Sequence, residues 1–379
     1  VLTTLAVAGY RSIVDLVLPL GTLTVVTGPN GSGKSNLYRA LRLLSAAGTG
    51  RVVAAIAEEG GYPSALWAGP ETPTGPGAEG TRRKKPVAIL LGVATDELGY
   101  LLDLGQPQVA QGSLFARDPE IKREWVFAGQ IAKPSTMLIE RTRAATRVKD
   151  AAWRTLMQPL TSYESILTDL ADGDTAPELL NLRRMLSSWR FYDQFRTDRD
   201  APTRLPRIGT RTTTLDHAGE HLAAVWATIQ ESGFGAPLDR EVSRAFPGSH
   251  VEVVAADGQF RLTMRQPGLL RPLETTELSD GTLRYLLLCA ALLPARPAPL
   301  IVLNEPESSL HPDLLSPLAE LIADAAQRTQ VIVVTHAAAL ADALDRAGAR
   351  LVRLESNGFG TRIEGQGMFD RPSWNWGTR

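Results

Sequence analysis

Gly28-Pro29-Asn30-Gly31-Ser32-Gly33-Lys34-Ser35 is the stretch whose reading decides the fold. It satisfies G-x-x-x-x-G-K-[ST] and stands between the apolar run Leu23-Thr24-Val25-Val26 and a helical pattern that opens at Asn36-Leu37-Tyr38. That strand, loop and helix order is the context such a loop requires. Glycines at 28, 31 and 33 admit backbone conformations closed to other residues, so successive N–H groups can point inward at an anion. The helix start adds its own unpaired N–H groups and its dipole. Gly28, Pro29, Asn30, Gly31, Ser32, Gly33, Lys34, Ser35 and Asn36 are therefore the expected phosphate-contacting residues. Lys34 is expected to bridge the β- and γ-phosphates, and the Ser35 hydroxyl to ligate Mg²⁺. ATP and Mg²⁺ are the cofactors this predicts.

A second segment far downstream completes the pattern. Leu300-Ile301-Val302-Leu303 ends at Asn304-Glu305-Pro306, which suits a buried parallel strand whose C-terminal end delivers polar side chains to a ligand. Glu305 is placed to polarise the water that attacks a γ-phosphate. Taken alone, Glu305-Pro306 reads equally well as the start of a turn; the phosphate loop decides between the two. Between these segments lies Leu278-Ser279-Asp280-Gly281-Thr282, a Ser and a flexible Gly at a helix start, which exposes another set of N–H donors. After the apolar run Val331-Ile332-Val333-Val334 comes Thr335-His336, whose imidazole can exchange a proton near neutral pH.

This order of phosphate loop, Leu-Ser-x-Gly signature, apolar strand with Glu-Pro-Glu-x-x-Leu-His-Pro, and strand with Thr-His resembles an ABC-type ATPase head of the RecF/SMC-like group, in particular its small coiled-coil-free members. The resemblance covers residues 1–50 and 270–379, and the middle in broad layout. It implies an α/β P-loop NTPase head with a mixed sheet, an antiparallel β lobe and a helical insertion. It also implies a head that dimerises on ATP, with Ser279 and Gly281 of one subunit closing over the nucleotide held by Lys34 and Ser35 of the other. Glu305 and His336 then take the catalytic and switch positions, and Ser308-Ser309-Leu310-His311 that of the D-loop. Tyr10-Arg11-Ser12 matches the group's aromatic-Arg-Ser segment, which brings Arg11 toward the nucleotide. Asn304 stands where the group has Asp: an amide oxygen can accept from a magnesium-bound water but brings no charge. For the group's magnesium-facing glutamine, Gln106, Gln108 and Gln111 remain open alternatives.

Composition sets the outer bounds. At 379 residues the chain exceeds the size, about 250–300 residues, at which one core stops growing. The expected organisation is a composite ATPase core of residues 1–50 and 270–379, an antiparallel β lobe over 51–130 and a mainly helical insertion over 131–269. Residues 60–86 are rich in Pro and Gly, end at Arg82-Arg83-Lys84-Lys85, and read as a long surface loop. Lys and Arg (40) balance Asp and Glu (41), so any nucleic-acid contact must come from a local patch. The arginines from Arg184 to Arg211, interleaved with Trp189, Phe191, Tyr192 and Phe195, are the other candidate for one. Asp193, Asp198 and Asp200 dilute it and favour a solvated face with ion pairs.

The single cysteine, Cys289, sits in an apolar run and reads as a buried thiol. His217-Ala218-Gly219-Glu220-His221 matches a zinc-protease pattern, but Gly219 weakens the helix and no third ligand is recognisable. It reads instead as the start of a helix from His217 to Glu231 capped by Asp216. No signal peptide and no apolar run of about 18 residues are evident, so the expected location is cytoplasmic, without membrane contact. The leading functional expectation is an ATP-driven homodimeric switch acting on DNA in repair or recombination, as RecF-like proteins do. The alternative is an ATPase regulator gating a protein partner of defence or toxin type, without direct DNA binding, which the near-neutral charge favours.

Overall fold

A computed structural model describes residues 1–69, 87–108, 112–143, 145–157, 159–170, 176–356, 358–367 and 370–377. Arg82-Arg83-Lys84-Lys85 and Gln111 lie outside them. The chain divides into two compact units, one of Val1–Gly21, Thr27–Trp189 and Val352–Arg379, the other of Thr22–Val26 and Arg190–Leu351. Among the described residues no helix is long and apolar enough to cross a membrane.

The first unit is built on an eight-stranded antiparallel sheet ordered Ile13–Pro19, Leu2–Tyr10, Ile89–Thr95, Leu98–Gly105, Glu120–Ala128, Met137–Thr142, Ala145–Lys149 and Trp153–Thr155. Leu2–Tyr10 is buried along nearly its whole length, as a central strand covered on both faces must be, whereas the edge strand Trp153–Thr155 is exposed throughout. Helix Lys34–Gly48 buries Leu37, Leu41 and Leu44, one face at helical spacing. At its end it approaches helix Pro177–Ser187 closely. A Cβ on Gly48 would stand 2.8 Å from Leu186 Cβ, and Ser45 Oγ donates to Leu186 O at 2.9 Å. Inside the sheet Arg141 and Glu124 form an ion pair at 2.7 Å with both side chains fully buried. Such a pair is tolerable only when its remaining polar atoms are satisfied. Here Tyr100 and Ser165 hydroxyls donate to Glu124, and Arg141 donates to Thr161 O.

The second unit carries a parallel sheet in the order Arg190–Tyr192, Leu300–Asn304, Gln330–Val334 and Leu23–Thr27. Its central strands are unbroken runs of buried Val, Ile and Leu, the pattern of strands covered on both faces. Helix Asp280–Leu292 is buried from Leu283 to Leu292. A small antiparallel sheet of Arg207–Ile208, Gln259–Arg265, His250–Ala256 and Leu273–Glu274 completes the unit. The α/β class with an antiparallel lobe is the one the sequence predicts. One helix differs at its start: it opens at Leu222 rather than His217, and runs on through a π-helical turn, Gln230–Phe234, that takes in Glu231 and breaks at Gly233. Gly219 takes φ +76, and a Cβ there would meet Leu287 Cδ2 at 2.6 Å, so the chain turns before the helix can begin.

Candidate nucleotide-binding site

The phosphate loop belongs to the first unit. Gly28, Gly31 and Gly33 have φ of +146, +79 and +101, and helix Lys34–Gly48 starts directly after Gly33. Two of these glycines are also required by space: a Cβ would lie 2.2 Å from Leu354 O at Gly28 and 2.1 Å from Thr361 Oγ1 at Gly33. Lys34 Nζ folds back into the loop, donating to Gly28 O at 2.6 Å and to Pro29 O at 3.0 Å. Pro29, Asn30 and Gly31 are exposed, as is Ser35 on the first helical turn. Ser32 Oγ is buried and finds no hydrogen-bond partner among the described residues. A Lys ammonium folded back onto a left-handed Gly loop that also carries a buried hydroxyl without a partner among the described residues fits the phosphates of a nucleotide, and the exposed Ser35 hydroxyl fits their metal.

A clasp that the sequence does not announce closes on this loop. Asn36 Nδ2 donates to Ser12 Oγ at 2.8 Å, and Ser12 Oγ and Thr361 Oγ1 share a hydrogen bond of 2.8 Å. Arg11, at φ +50, pairs with Glu59 at 2.7 Å, and Tyr10 also donates to Glu59. Burial, then the Glu59 carboxylate, hold the Tyr10 hydroxyl above its ordinary range. Glu59 and Thr361 lie outside every motif, which is why sequence reading passes over them.

In the second unit the polar residues gather where the parallel strands end. Glu305 leaves its strand at φ +49, a left-handed conformation that costs a non-glycine residue about 1–3 kcal/mol. Its Oε1 lies 3.3 Å from His336 Nδ1, so the two residues the sequence singles out are neighbours. Glu307, buried to 8% exposure, is the second carboxylate of the Glu-Pro-Glu motif. It accepts from the Thr335 hydroxyl and from the His336 and Ala337 N–H groups, and so fixes the turn that presents His336. Asn304 Nδ2 donates to Asp193 Oδ1 at 2.8 Å. Arg284, 2% exposed, donates to Glu305 O at 3.1 Å and Asp193 O at 3.3 Å. Its burial lowers its pKa, and the carboxylates of Glu307, Asp193 and Glu305 work against that shift.

The signature segment lies in the same unit. Ser279 caps helix Asp280–Leu292, its Oγ accepting from Thr282 N at 3.1 Å, and Gly281 is close enough to the Ser308-Ser309 turn that a Cβ would meet Ser309 O at 3.0 Å. Arg204 holds this segment from behind, donating to Leu278 O at 2.9 Å and to Asp280 Oδ1 at 2.6 Å. Arg204 is only 6% exposed, so this member of the arginine-rich stretch is an internal clamp and not a surface charge. Cys289 is fully buried and its thiol is pushed well up by desolvation, as an inert core residue. The zinc-protease pattern does not assemble: Asp216 Oδ1 accepts from Glu220 N at 2.9 Å, as in a turn cap, and His217 is not among the clustered ligand-capable atoms of Asp216, Glu220 and His221.

Comparison with known proteins bears on the fold and family. One similar solved structure is an SMC head bound to the C-winged helix domain of ScpA, at 14% identity and TM-score 0.52, covering 96% of this chain and 97% of that one. Another is the SMC head with an extended coiled coil bound to the C-terminal domain of ScpA from Pyrococcus furiosus, at 13% identity and TM-score 0.50, covering 96% and 95%. At such identities the likeness is one of fold. No curated protein sequence matches. The model of the family described as "AAA domain, putative AbiEii toxin, Type IV TA system" matches residues 23–342. The chain therefore belongs to this AAA-domain family, and its fold is that of an SMC-head-type ATPase.

Proposed function

We propose that the protein is an ATP-hydrolysing switch whose heads pair on ATP. The observation that carries the reading is the strained Glu305 at a strand end, its carboxylate 3.3 Å from His336, in a chain whose phosphate loop presents Lys34 and a buried Ser32 hydroxyl without a partner among the described residues. In this reading Lys34, the loop N–H groups and Arg11 bind the ATP phosphates, and Ser35 with Asn304 hold Mg²⁺, which neutralises charge on the phosphate oxygens when bound. Glu305 orients the attacking water and His336 holds a proton beside it. Ser279 and Gly281, exposed and half-buried at a helix start, face the nucleotide of a second copy.

For the partner, a protein-gating role in the cytoplasm has more support than DNA repair. Of the arginine-rich stretch, Arg204 is buried, while Arg196, Arg207 and Arg211 each face a carboxylate of Asp198, Glu220 and Glu231. Arginines buried or already set beside carboxylates bring little net positive charge to the phosphates of a nucleic acid. The family description names a putative toxin of a type IV toxin–antitoxin system, and two of the similar SMC heads are bound to a protein, ScpA.

Glu305→Gln is the test. It keeps the volume and removes the carboxylate, so hydrolysis is expected to fall by about 10²–10⁴-fold with nucleotide binding retained. A dimer should accumulate with ATP and Mg²⁺ in size-exclusion chromatography. A variant that hydrolyses like the parent would overturn the assignment, and parent turnover stimulated by added DNA would restore the DNA reading.

A further inference from the structure

We infer that Asp193, and not the strand-end Asn304 it touches, supplies the carboxylate charge that holds the nucleotide's divalent cation in this chain. The inference rests on the nucleotide reading above and deepens it. Asn304 occupies the position from which a carboxylate is expected to serve the metal, yet an amide is neutral. The short strand Arg190–Tyr192 runs parallel to Leu300–Asn304 with Tyr192 opposite Leu303. The next residues, Asp193 just past its strand and Asn304 at the end of its own, therefore stand side by side at the C-terminal end of the sheet, where open α/β sheets hold their ligands.

The contact between them is directional. Asn304 Nδ2 donates to Asp193 Oδ1 at 2.8 Å, which turns the amide so that its own Oδ1 is the atom left to accept. Asp193 is exposed, and among the described residues no donor reaches its Oδ2 and no cationic side chain comes within ion-pair distance of its carboxylate, which acts on Arg284 only at longer range. The nearby Arg284 donates to the Asp193 main-chain oxygen instead. Glu305 and Glu307 are both engaged at His336, so neither carboxylate is as available. The pair thus presents one full negative charge and one oriented amide oxygen, the hard oxygen set that suits the hydration shell of a magnesium ion. The carboxylate thus stands one strand over from Asn304.

The two roles open to Asp193 are separated by removing its charge while keeping its shape. Asp193→Asn can still accept the amide bond, so a residue that only orients Asn304 would tolerate it. A residue that supplies charge would not. Mn²⁺ binding, followed by electron paramagnetic resonance in the presence of a non-hydrolysable ATP analogue, is expected to weaken by about 10- to 100-fold in Asp193→Asn. Binding of the same analogue in EDTA is expected to be unchanged. The exchanged pair Asp193→Asn with Asn304→Asp reverses the hydrogen bond and returns the charge, and should recover Mn²⁺ affinity to within a few-fold of the parent. A Mn²⁺ titration of Asp193→Asn that overlays the parent, or an exchanged pair that recovers nothing, would overturn the assignment while leaving the nucleotide reading intact. A parent protein that binds no analogue with or without metal would overturn both.

Discussion

Lys34 Nζ lies 2.6 Å from Gly28 O, so the ammonium of the phosphate loop is held by the loop's own first carbonyl. Its Pro29 O contact at 3.0 Å adds a second acceptor on the same side. An ammonium that donates to neutral carbonyls can exchange them for phosphate oxygens, because charge-assisted bonds to an anion are about twice as strong.

Lys34→Ala removes both the resident bonds and the charge that meets the phosphates. A hydrogen bond to a charged group contributes about 1.5–3 kcal/mol, so nucleotide affinity should fall by roughly 10- to 150-fold. Isothermal titration calorimetry with ATP measures this directly. An unchanged affinity would mean that the loop is not the phosphate site.

Arg204→Ala should destabilise the protein rather than weaken a surface interaction. The guanidinium donates to Thr275 O, Leu278 O and Thr197 O and to the Asp280 carboxylate, and truncation strands carbonyls at buried positions. Each orphaned buried acceptor costs about 1–3 kcal/mol, so a loss of at least about 3 kcal/mol in urea unfolding is expected. The exposed Arg199→Ala serves as a control within about 0.5 kcal/mol of the parent. Equal stability of the two variants would remove Arg204 as the clamp behind Ser279.

Asn304→Asp alone has a less simple outcome than restoring a motif residue implies. It would set two carboxylates where a 2.8 Å hydrogen bond now stands, and like charges so close drive the pKa of one of them up. With that pKa raised in the folded state, the variant should be least stable relative to the parent above the ordinary carboxylate range and should recover as pH falls. Bound Mg²⁺ should recover it too. Thermal melts at pH 5 and pH 8, with and without Mg²⁺ and ATP, read both effects; a melting temperature indifferent to pH would show that the two side chains separate.

The phosphate loop was legible in the sequence because its determinants are local: three glycines, a lysine and a helix start are all contiguous, and backbone conformation and N–H direction follow from them. The buried parallel strand ending at Asn304-Glu305 was legible for the same reason, since an unbroken apolar run needs no knowledge of its neighbours. What surrounds those residues was not. Asp193 and Asn304 are separated by 111 positions, and the strand that brings them together has only three residues, too few for any periodicity to mark it. Arg204 announced its charge but not its burial, because a guanidinium can be satisfied by solvent or by carbonyls that only folding assembles. The helix expected from His217 opens only at Leu222, because Gly219 turns the chain at φ +76 where a side chain would meet Leu287. Composition and local pattern thus settled the fold class and the loop, while the ion pairs, the clamp and the metal-facing charge waited on which strands came to lie side by side.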